Sequence, residues 1–335
     1  MKLVVISICH NEAETIGQVL DQIPSKIDGI SQIEKWVIDD GSSDGTAKVA
    51  QKHGAKVISD GAQKRLAFRF REAVDLALAQ KADIMVNIDG DLQFNPADVP
   101  KLVAPLVDNV ADFAAADRFS DHVSGKYRQP TNMPKGKYLG NRLGARVVSY
   151  LSRHEFHDVT CGFRAYNRKA LFALNTDGTH TYTQESFQVI AMKRLRITAV
   201  PVEVKYFAER KSRVVGNILH YVAVSAVNIL RSFRDFAPLR FFGWLGFIPF
   251  AFGLIFILIL LVHWFIAGHP SPYKSFGFIG AYLVTMAIIF WGLGLVADML
   301  SRMLNNQEKI LERVKRLEAA GNIYQDSENS LQEKK

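Results

Sequence analysis

The chain has 335 residues, 48% hydrophobic and 22% charged, with a formal net charge of +8. That length allows one large domain or two ordinary ones. The basic balance suits nucleic acid, anionic lipid or phosphorylated substrates, but no Lys/Arg-rich run with interleaved aromatics marks a nucleic-acid groove; Cys9 and Cys161 lack metal-site spacing, are too few for a disulfide framework and fit a reducing, cytosolic setting.

Strand and helix signals alternate over the first 90 residues. Leu3 to Ile8 is apolar apart from Ser7 and predicts a buried strand. It is too short, and lacks the flanks, for a signal peptide. Asn11 to Ile23 has helical spacing at Ile16, Val19, Leu20 and Ile23. Trp36 to Ile38 predicts a second strand, ending in DDGSSDGT. Thr46 to His53 reads as a short helix and Lys56 to Ile58 as a third strand. Arg65 to Ala79 carries an apolar stripe at Leu66, Phe70, Ala73, Val74, Ala77 and Leu78, which predicts a helix. Ile84 to Ile88 predicts a fourth strand, ending in DGD. This alternation implies an α/β domain with a mostly parallel, Rossmann-like sheet covered by helices. Ligands of such sheets lie beyond the carboxyl ends of the strands, where the polar clusters HNE, DDGSSD and DGD fall. Residues 119–140 are polar, with Gly125, Pro130, Pro134 and Gly136, and predict a loop over the site or a plain connection.

The charge pattern changes after residue 212. Residues 213–235 are apolar and basic, which predicts an interfacial amphipathic helix, a buried core helix being the alternative. Phe241 to Ala267 and Phe276 to Ala297 are each long and apolar enough to span a bilayer, which needs ~20 residues. The short link GHPSPYKS makes them a hairpin. Arg231, Arg234 and Arg240 precede the first span; Arg302, Lys309, Arg313, Lys315 and Arg316 follow the second; the link carries only Lys274. The positive-inside rule then places the N-terminal domain and both termini in the cytoplasm. Beyond the hairpin, Met303, Gln307, Ile310, Val314 and Leu317 repeat at spacings of four and three. This a/d pattern predicts helix association and a homo-oligomer, a tetramer being one form, with a solvated amphipathic tail as the alternative. DSENSLQEKK reads as disordered. The expected divisions are 1–212, 213–240, 241–300 and 301–335.

The chemistry concentrates in carboxylates. Asp89 and Asp91, two residues apart at a strand end, can hold Mg²⁺ or Mn²⁺ through hard oxygen ligands, and the cation would bridge substrate phosphates. Asp39 and Asp40 end another strand, where a carboxylate can accept from a nucleobase imide or ribose hydroxyls. Asp44 is expected to cap the helix near Thr46.

SICHNEAETIG, VIDDGSSDGT, VNIDGDLQFNP and DVTCGFRAYNR occur in that order. Together they resemble family 2 glycosyltransferases of the GT-A fold. With the hairpin, the likeness is to polyprenyl-phosphate glycosyltransferases of the dolichol-phosphate mannose synthase and bactoprenol glucosyltransferase type. The resemblance covers residues 5–168 by motif and extends to about residue 300 by architecture. It implies that Asn11 and Glu12 lie in a nucleotide-binding loop, and that Asp39 and Asp40 meet the nucleobase and ribose. Asp89 and Asp91 become the metal and diphosphate motif, with Gln93 just beyond. It makes Asp158 the candidate general base; orienting the acceptor, holding the metal or capping are its other readings. Arg164 fits an acceptor-phosphate ligand or an internal partner of Asp158. Arg118 and Glu185 match donor-site positions, and Arg210, Lys211, Ser212 and Arg213 form a basic cluster where a lipid phosphate would arrive. Relatives carry a glycine-rich segment near residue 63; this chain has Ala62-Gln63-Lys64-Arg65, which keeps charge without the glycines and makes Lys64 and Arg65 candidate donor ligands. The resemblance implies metal-dependent, inverting transfer of glucose from UDP-glucose to undecaprenyl phosphate. GDP-mannose as donor, or a non-catalytic membrane scaffold, are the alternatives. No GxGxxG follows the first strand, which disfavours a dinucleotide enzyme.

Overall fold

The computed structural model describes residues 1–120, 127, 129–131, 133, 135–152, 154–174, 182–205, 230–231, 233–234 and 237–332. The chain divides into two compact units, Met1–Ile218 with Leu311–Lys335, and Leu219–Ile310.

In the first unit the order is β1 (Lys2–Cys9), α1 (Ile16–Gln22), β2 (Gln32–Asp39), α2 (Thr46–Lys52), β3 (Lys56–Ser59), α3 (Leu66–Ala79) and β4 (Ile84–Asn87). Then follow α4 (Val99–Val107), β5 (Phe113–Asp117), α5 (Lys135–Ser152), β6 (Arg164–Asn167), α6 (Arg168–Ala173), α7 (Tyr182–Met192) and β7 (Ile197–Pro201). The seven strands form one sheet in the order β3-β2-β1-β4-β6-β5-β7. β1 pairs in parallel with β2 and β4, β2 with β3, and β5 with β7. β6 runs antiparallel to both β4 and β5. That reversal matters for the site. The register Asn87↔Arg164 sets the entry to β6 beside the exit of β4, so the loop before β6 meets the loop after β4.

Alternating side chains send each strand's residues to opposite faces. Val4, Ile6, Trp36, Ile38, Met85 and Tyr166 pack on one face against Phe70, Ala73, Val74 and Ala77 of α3 and Phe187 and Ile190 of α7. Leu3, Val5, Val37, Ile84 and Val86 pack on the other against Ile16, Val19 and Leu20 of α1 and Leu102, Val103 and Leu106 of α4. Each such buried aliphatic or aromatic side chain contributes about 1.5–3 kcal/mol, so the sheet edge carrying the polar loops rests on a rigid base.

The predicted strands and helices recur with boundary changes. The first helix starts at Ile16 rather than Asn11, because Asn11 has φ 55° and Glu12 turns the chain so that its carbonyl accepts from Thr15 and Ile16 N–H. Residues 135–140, read as loop, begin α5. The predicted amphipathic helix over 213–235 lies almost wholly outside the described residues.

In the second unit, α8 (Pro238–Ala267) and the first part of α9 (Lys274–Gln332) form the hairpin. Both are long and apolar enough to cross a membrane, and in each only 17% of the most apolar window is buried. Glycines let the helices approach. A Cβ on Gly253 would lie 2.8 Å from the Gly280 carbonyl oxygen, and one on Gly280 2.6 Å from Ile257 Cγ1. Gly268, with φ 72°, ends α8 in the left-handed conformation.

α9 continues to Gln332, so the tail read as disordered is helical there; its Glu, Gln and Ser residues include no proline to stop it. Within the first unit the helix lies on the catalytic fold. Glu312 pairs with Lys193 at 2.9 Å, Lys315 with Asp75 at 3.1 Å, and the Arg316 guanidinium sits 4.6 Å from the Phe172 ring centroid. Met303, Gln307, Ile310, Val314 and Leu317, the a/d residues, are exposed.

Candidate active site

The carboxyl edge of the sheet gathers four polar loops. The loop after β1 is tied to the loop after β2: Asn11 N–H donates to Ser42 Oγ at 2.9 Å, and Asn11 Oδ1 accepts from Ser43 N–H at 2.9 Å. Glu12 N–H donates to Thr46 Oγ1 at 2.9 Å. Asp44 accepts from Thr46 N–H at 3.0 Å and from Ala13 N–H at 3.0 Å, so it joins both loops to the start of α2. Thr15 Oγ1 donates to the Gly90 carbonyl at 2.6 Å, which fixes the loop after β4 to the same cluster.

Asp89 and Asp91 sit at the centre. Gly90 between them has no room for a side chain, since its Cβ would meet Cys9 Sγ at 2.7 Å. Gly162, from the loop before β6, closes on Asp89: its Cβ would lie 3.1 Å from both carboxylate oxygens. Burial and the neighbouring Asp91 charge raise the Asp89 pKa to about 6, against the pull of Arg118 and Arg164. Asp91 Oδ1 accepts the Gln93 N–H at 3.1 Å, and the Gln93 carbonyl accepts from Lys205 N–H at 2.9 Å. Two hard oxygen donors at one strand exit, one of them raised above its ordinary range chiefly by burial, suit a divalent cation. Gln93 also lines a cavity of about 750 Å³ with Gln18, Asn95 and Lys205.

A second pair of carboxylates ends β2 and β5. Asp39 accepts from Ser42 N–H at 3.2 Å and Ser59 Oγ at 2.9 Å. Asp117 accepts from Phe119 N–H and Ser120 Oγ, and lies 3.2 Å from His157 Nδ1. The adjacent residues cross-pair: Arg118 donates to Asp158 through Nε at 2.6 Å and Nη2 at 2.9 Å, and to Thr160 Oγ1 at 2.7 Å. Asp158 also accepts the Thr160 N–H at 3.0 Å. Burial alone would raise the Asp158 pKa, but the Arg118 charge overcomes it and holds the carboxyl below its ordinary value.

The sequence model for glycosyl transferase family 2 matches residues 4–173, a span holding every carboxylate above. The chain belongs to glycosyl transferase family 2. Glycosyltransferase AglJ of Haloferax volcanii is 27% identical over 92% of this chain and 97% of its own length. A dolichyl-phosphate hexose transferase of the same organism is 30% identical over 60% of this chain and 81% of its own. Among solved structures, glucosyl-3-phosphoglycerate synthase of Mycobacterium tuberculosis, crystallised with Mn²⁺, UDP-glucose and phosphoglyceric acid, superposes with a TM-score of 0.50 at 23% identity. That match covers 68% of this chain and 79% of that one, and establishes the shared fold.

Asn11, Glu12, Asp39, Asp89, Asp91, Gln93, Arg118 and Asp158 all lie on the strand ends and loops at this edge of the sheet. Glu185 is half-buried on α7. Other residues take different places. Arg164, read as a phosphate ligand, is fully buried. It donates to the carbonyls of Cys161, Val159 and Thr183 and to Ser186 Oγ, so its fork is spent inside the fold and its charge acts on Asp89 from behind. Its alternative reading as the partner of Asp158 also fails, since Arg118 holds that place. Asp40, read as a ribose or base ligand, is turned inward. It accepts from Lys64 N–H at 2.7 Å, Arg65 N–H at 3.1 Å and Arg69 Nε at 3.0 Å. The Lys64 ammonium pairs with Asp60. Arg210, Lys211, Ser212 and Arg213 lie outside the described residues. Cys9 and Cys161 are free, buried thiols, and burial raises the pKa of both, that of Cys161 to about 12.

Sequence reading missed Arg69, which is fully buried beside Asp40, Asp60 and Glu72. A signal existed. Position 69 falls on the apolar stripe of α3, between Leu66 and Phe70, and an arginine there requires partners.

Proposed function

We propose that the chain transfers a hexose, glucose from UDP-glucose, to a polyprenyl phosphate such as undecaprenyl phosphate, with inversion, at the cytoplasmic face of a membrane. The observation that carries this reading is the Asp89–Asp91 pair at the sheet's carboxyl edge, in a chain that also holds two bilayer-length apolar helices. The relative named as a dolichyl-phosphate hexose transferase supports the lipid phosphate as acceptor. The solved neighbour's Mn²⁺ and UDP-glucose support the cofactor and the donor class. The positive residues flanking the two spans support cytoplasmic termini.

Asp89 and Asp91 would hold Mg²⁺ or Mn²⁺; when bound, the cation neutralises charge on the departing diphosphate. Glu12, Asn11 and Asp39 form the nucleotide side of the site. Lys64 and Arg65 supply positive charge to the donor. A phosphate oxygen of the acceptor attacks the anomeric carbon and forms the new C–O bond as the bond to the nucleoside diphosphate breaks on the opposite face. The acceptor is already ionised near neutral pH, so no proton has to be removed. A carboxylate saturated by donors is a poor base. Asp158 therefore acts by orienting Arg118, and positioning and electrostatics supply the acceleration.

The test uses the full-length protein with Mg²⁺ or Mn²⁺, undecaprenyl phosphate and a panel of radiolabelled nucleotide-sugars. Label from UDP-glucose in the organic phase is the expected result. Label from GDP-mannose would replace the donor assignment. No lipid-borne label from any donor would overturn the reading and favour a non-catalytic scaffold.

A further inference from the structure

Arg65 occupies a backbone conformation that belongs to glycine. Its φ is 73° and its ψ 156°, a region where a Cβ clashes with its own peptide and which is populated by other residues only where the surroundings enforce it.

The enforcing groups are visible. The Asp40 carboxylate accepts the N–H of both Lys64 and Arg65, the last two residues before α3. No side chain within the segment caps that helix, so a carboxylate from the end of β2 does so. Asp40 is itself held by Arg69 Nε at 3.0 Å. The same guanidinium reaches Asp60 through Nη2 at 2.6 Å, the Ala62 carbonyl at 2.6 Å and Glu72 through Nη1 at 2.8 Å. It therefore grips the first half of the segment 60–65 directly and the second half through Asp40. Gly41, at φ 71°, supports the segment from below: a Cβ there would lie 3.0 Å from the Ala62 carbonyl carbon and the Gln63 nitrogen. The clamp keeps the segment over the end of β2, beside Asp39, with the Arg65 side chain exposed.

A merely structural arginine would not explain why the strained residue is itself charged and turned outward. Strain in a binding loop persists where it presets a side chain that would otherwise be searched for at a cost in binding. We propose that Arg69 is a positioning residue for the sugar donor: through Asp40 and Asp60 it holds Arg65 in its glycine-like conformation, and so presets the Arg65 guanidinium for the donor diphosphate. This rests on the reading of Arg65 as a donor ligand given above.

Removing Arg69 outright would leave three carboxylates facing one another, so the main variant is Arg69→Lys. It keeps the charge and loses the planar fork that bridges Asp40 to Asp60. Asp60→Asn, at a residue that reaches the surface, loosens the same clamp from its outer end. In the full-length enzyme, Arg69→Lys should raise the donor KM by about 10- to 100-fold, as expected for a displaced positioning contact. The KM for polyprenyl phosphate and kcat should move by less than about threefold, within what a uniform loss of donor binding predicts. Asp60→Asn should shift the donor KM in the same direction. Arg65→Gly should raise the donor KM while also raising Tm by about 2–4 °C, because it releases the strain in a unit of this size. The decisive comparison is the double variant Arg65→Gly/Arg69→Lys. If Arg69 acts through Arg65, the double variant has the donor KM of Arg65→Gly alone.

An Arg69→Lys enzyme with lowered Tm and wild-type donor KM would overturn the proposal, as would KM effects that multiply in the double variant. Unchanged donor KM in Arg65→Gly would instead overturn the donor-ligand reading of Arg65, and absence of transfer by the wild-type enzyme the proposed function itself.

Discussion

Replacing Asp158 separates a base from a positioning carboxylate, because the two roles predict different stabilities. The Asp158 side chain is completely buried and that of Arg118 is 8% exposed. Asp158→Asn keeps one acceptor oxygen but turns an amide NH₂ toward guanidinium and backbone donors that already face it. Arg118 then loses its two-pronged contact with a buried carboxylate. Breaking a buried pair in this way costs about 3–5 kcal/mol. At about 2–4 °C per kcal/mol for a unit of this size, Tm should fall by roughly 6–20 °C. Differential scanning fluorimetry of the detergent-solubilised full-length protein measures this directly, and transfer should fall alongside it. The pH dependence has a definite sign. Arg118 depresses the folded-state pKa of Asp158, so the unfolded chain binds more protons at low pH. The stabilisation is therefore fully present above the ordinary aspartate value of about 3.9 and is lost as pH falls through the depressed one. The stability gap between wild type and variant should close in acid. An Asp158→Asn protein with wild-type Tm and no activity would refute the positioning argument and restore Asp158 as a base.

Four further outcomes follow from the Asp89 cluster. Asp91→Asn should abolish sugar transfer while leaving Tm and membrane insertion intact; undiminished turnover would remove the metal role. The Asp89 pKa is raised to about 6, so the metal-free protein should lose stability as pH rises from the ordinary aspartate range through that value, and Asp89→Asn should flatten the dependence. Metal affinity, followed by calorimetry, should rise across the same pH window, because a proton competes for the carboxylate. Gly162→Ala places a Cβ 3.1 Å from both Asp89 oxygens, so the carboxylate must retreat by a few tenths of an ångström. We expect kcat to fall by about tenfold to a hundredfold with little change in Tm, and an unchanged kcat would mean that the position of Asp89 is not critical.

The parts of this site legible in the sequence are those where one residue type has one use at one place. Asp89-Gly90-Asp91 follows an apolar strand, and the structure puts both carboxylates at the strand's exit. Gly90 and Gly162 are there because a Cβ at either would collide, with Cys9 in one case and with Asp89 in the other. The parallel alternation of β1 to β4 was equally open to reading, since short apolar runs separated by helical stripes admit few other arrangements. What sequence could not settle was which charge meets which. Arg164 could be read as a phosphate ligand or as the partner of Asp158, and Arg118 as a donor-site residue. The antiparallel insertion of β6 decides it. That reversal points Arg164 into carbonyls at the base of α7, while the exit of β5 delivers Arg118 to Asp158. Asp39 and Asp40 show the same limit at closer range. Asp39 ends β2 and Asp40 begins the loop beyond it, so which of the two turns from the ligand is set by what packs on that loop. Only the buried Arg69 across the loop selects Asp40 as the one that does.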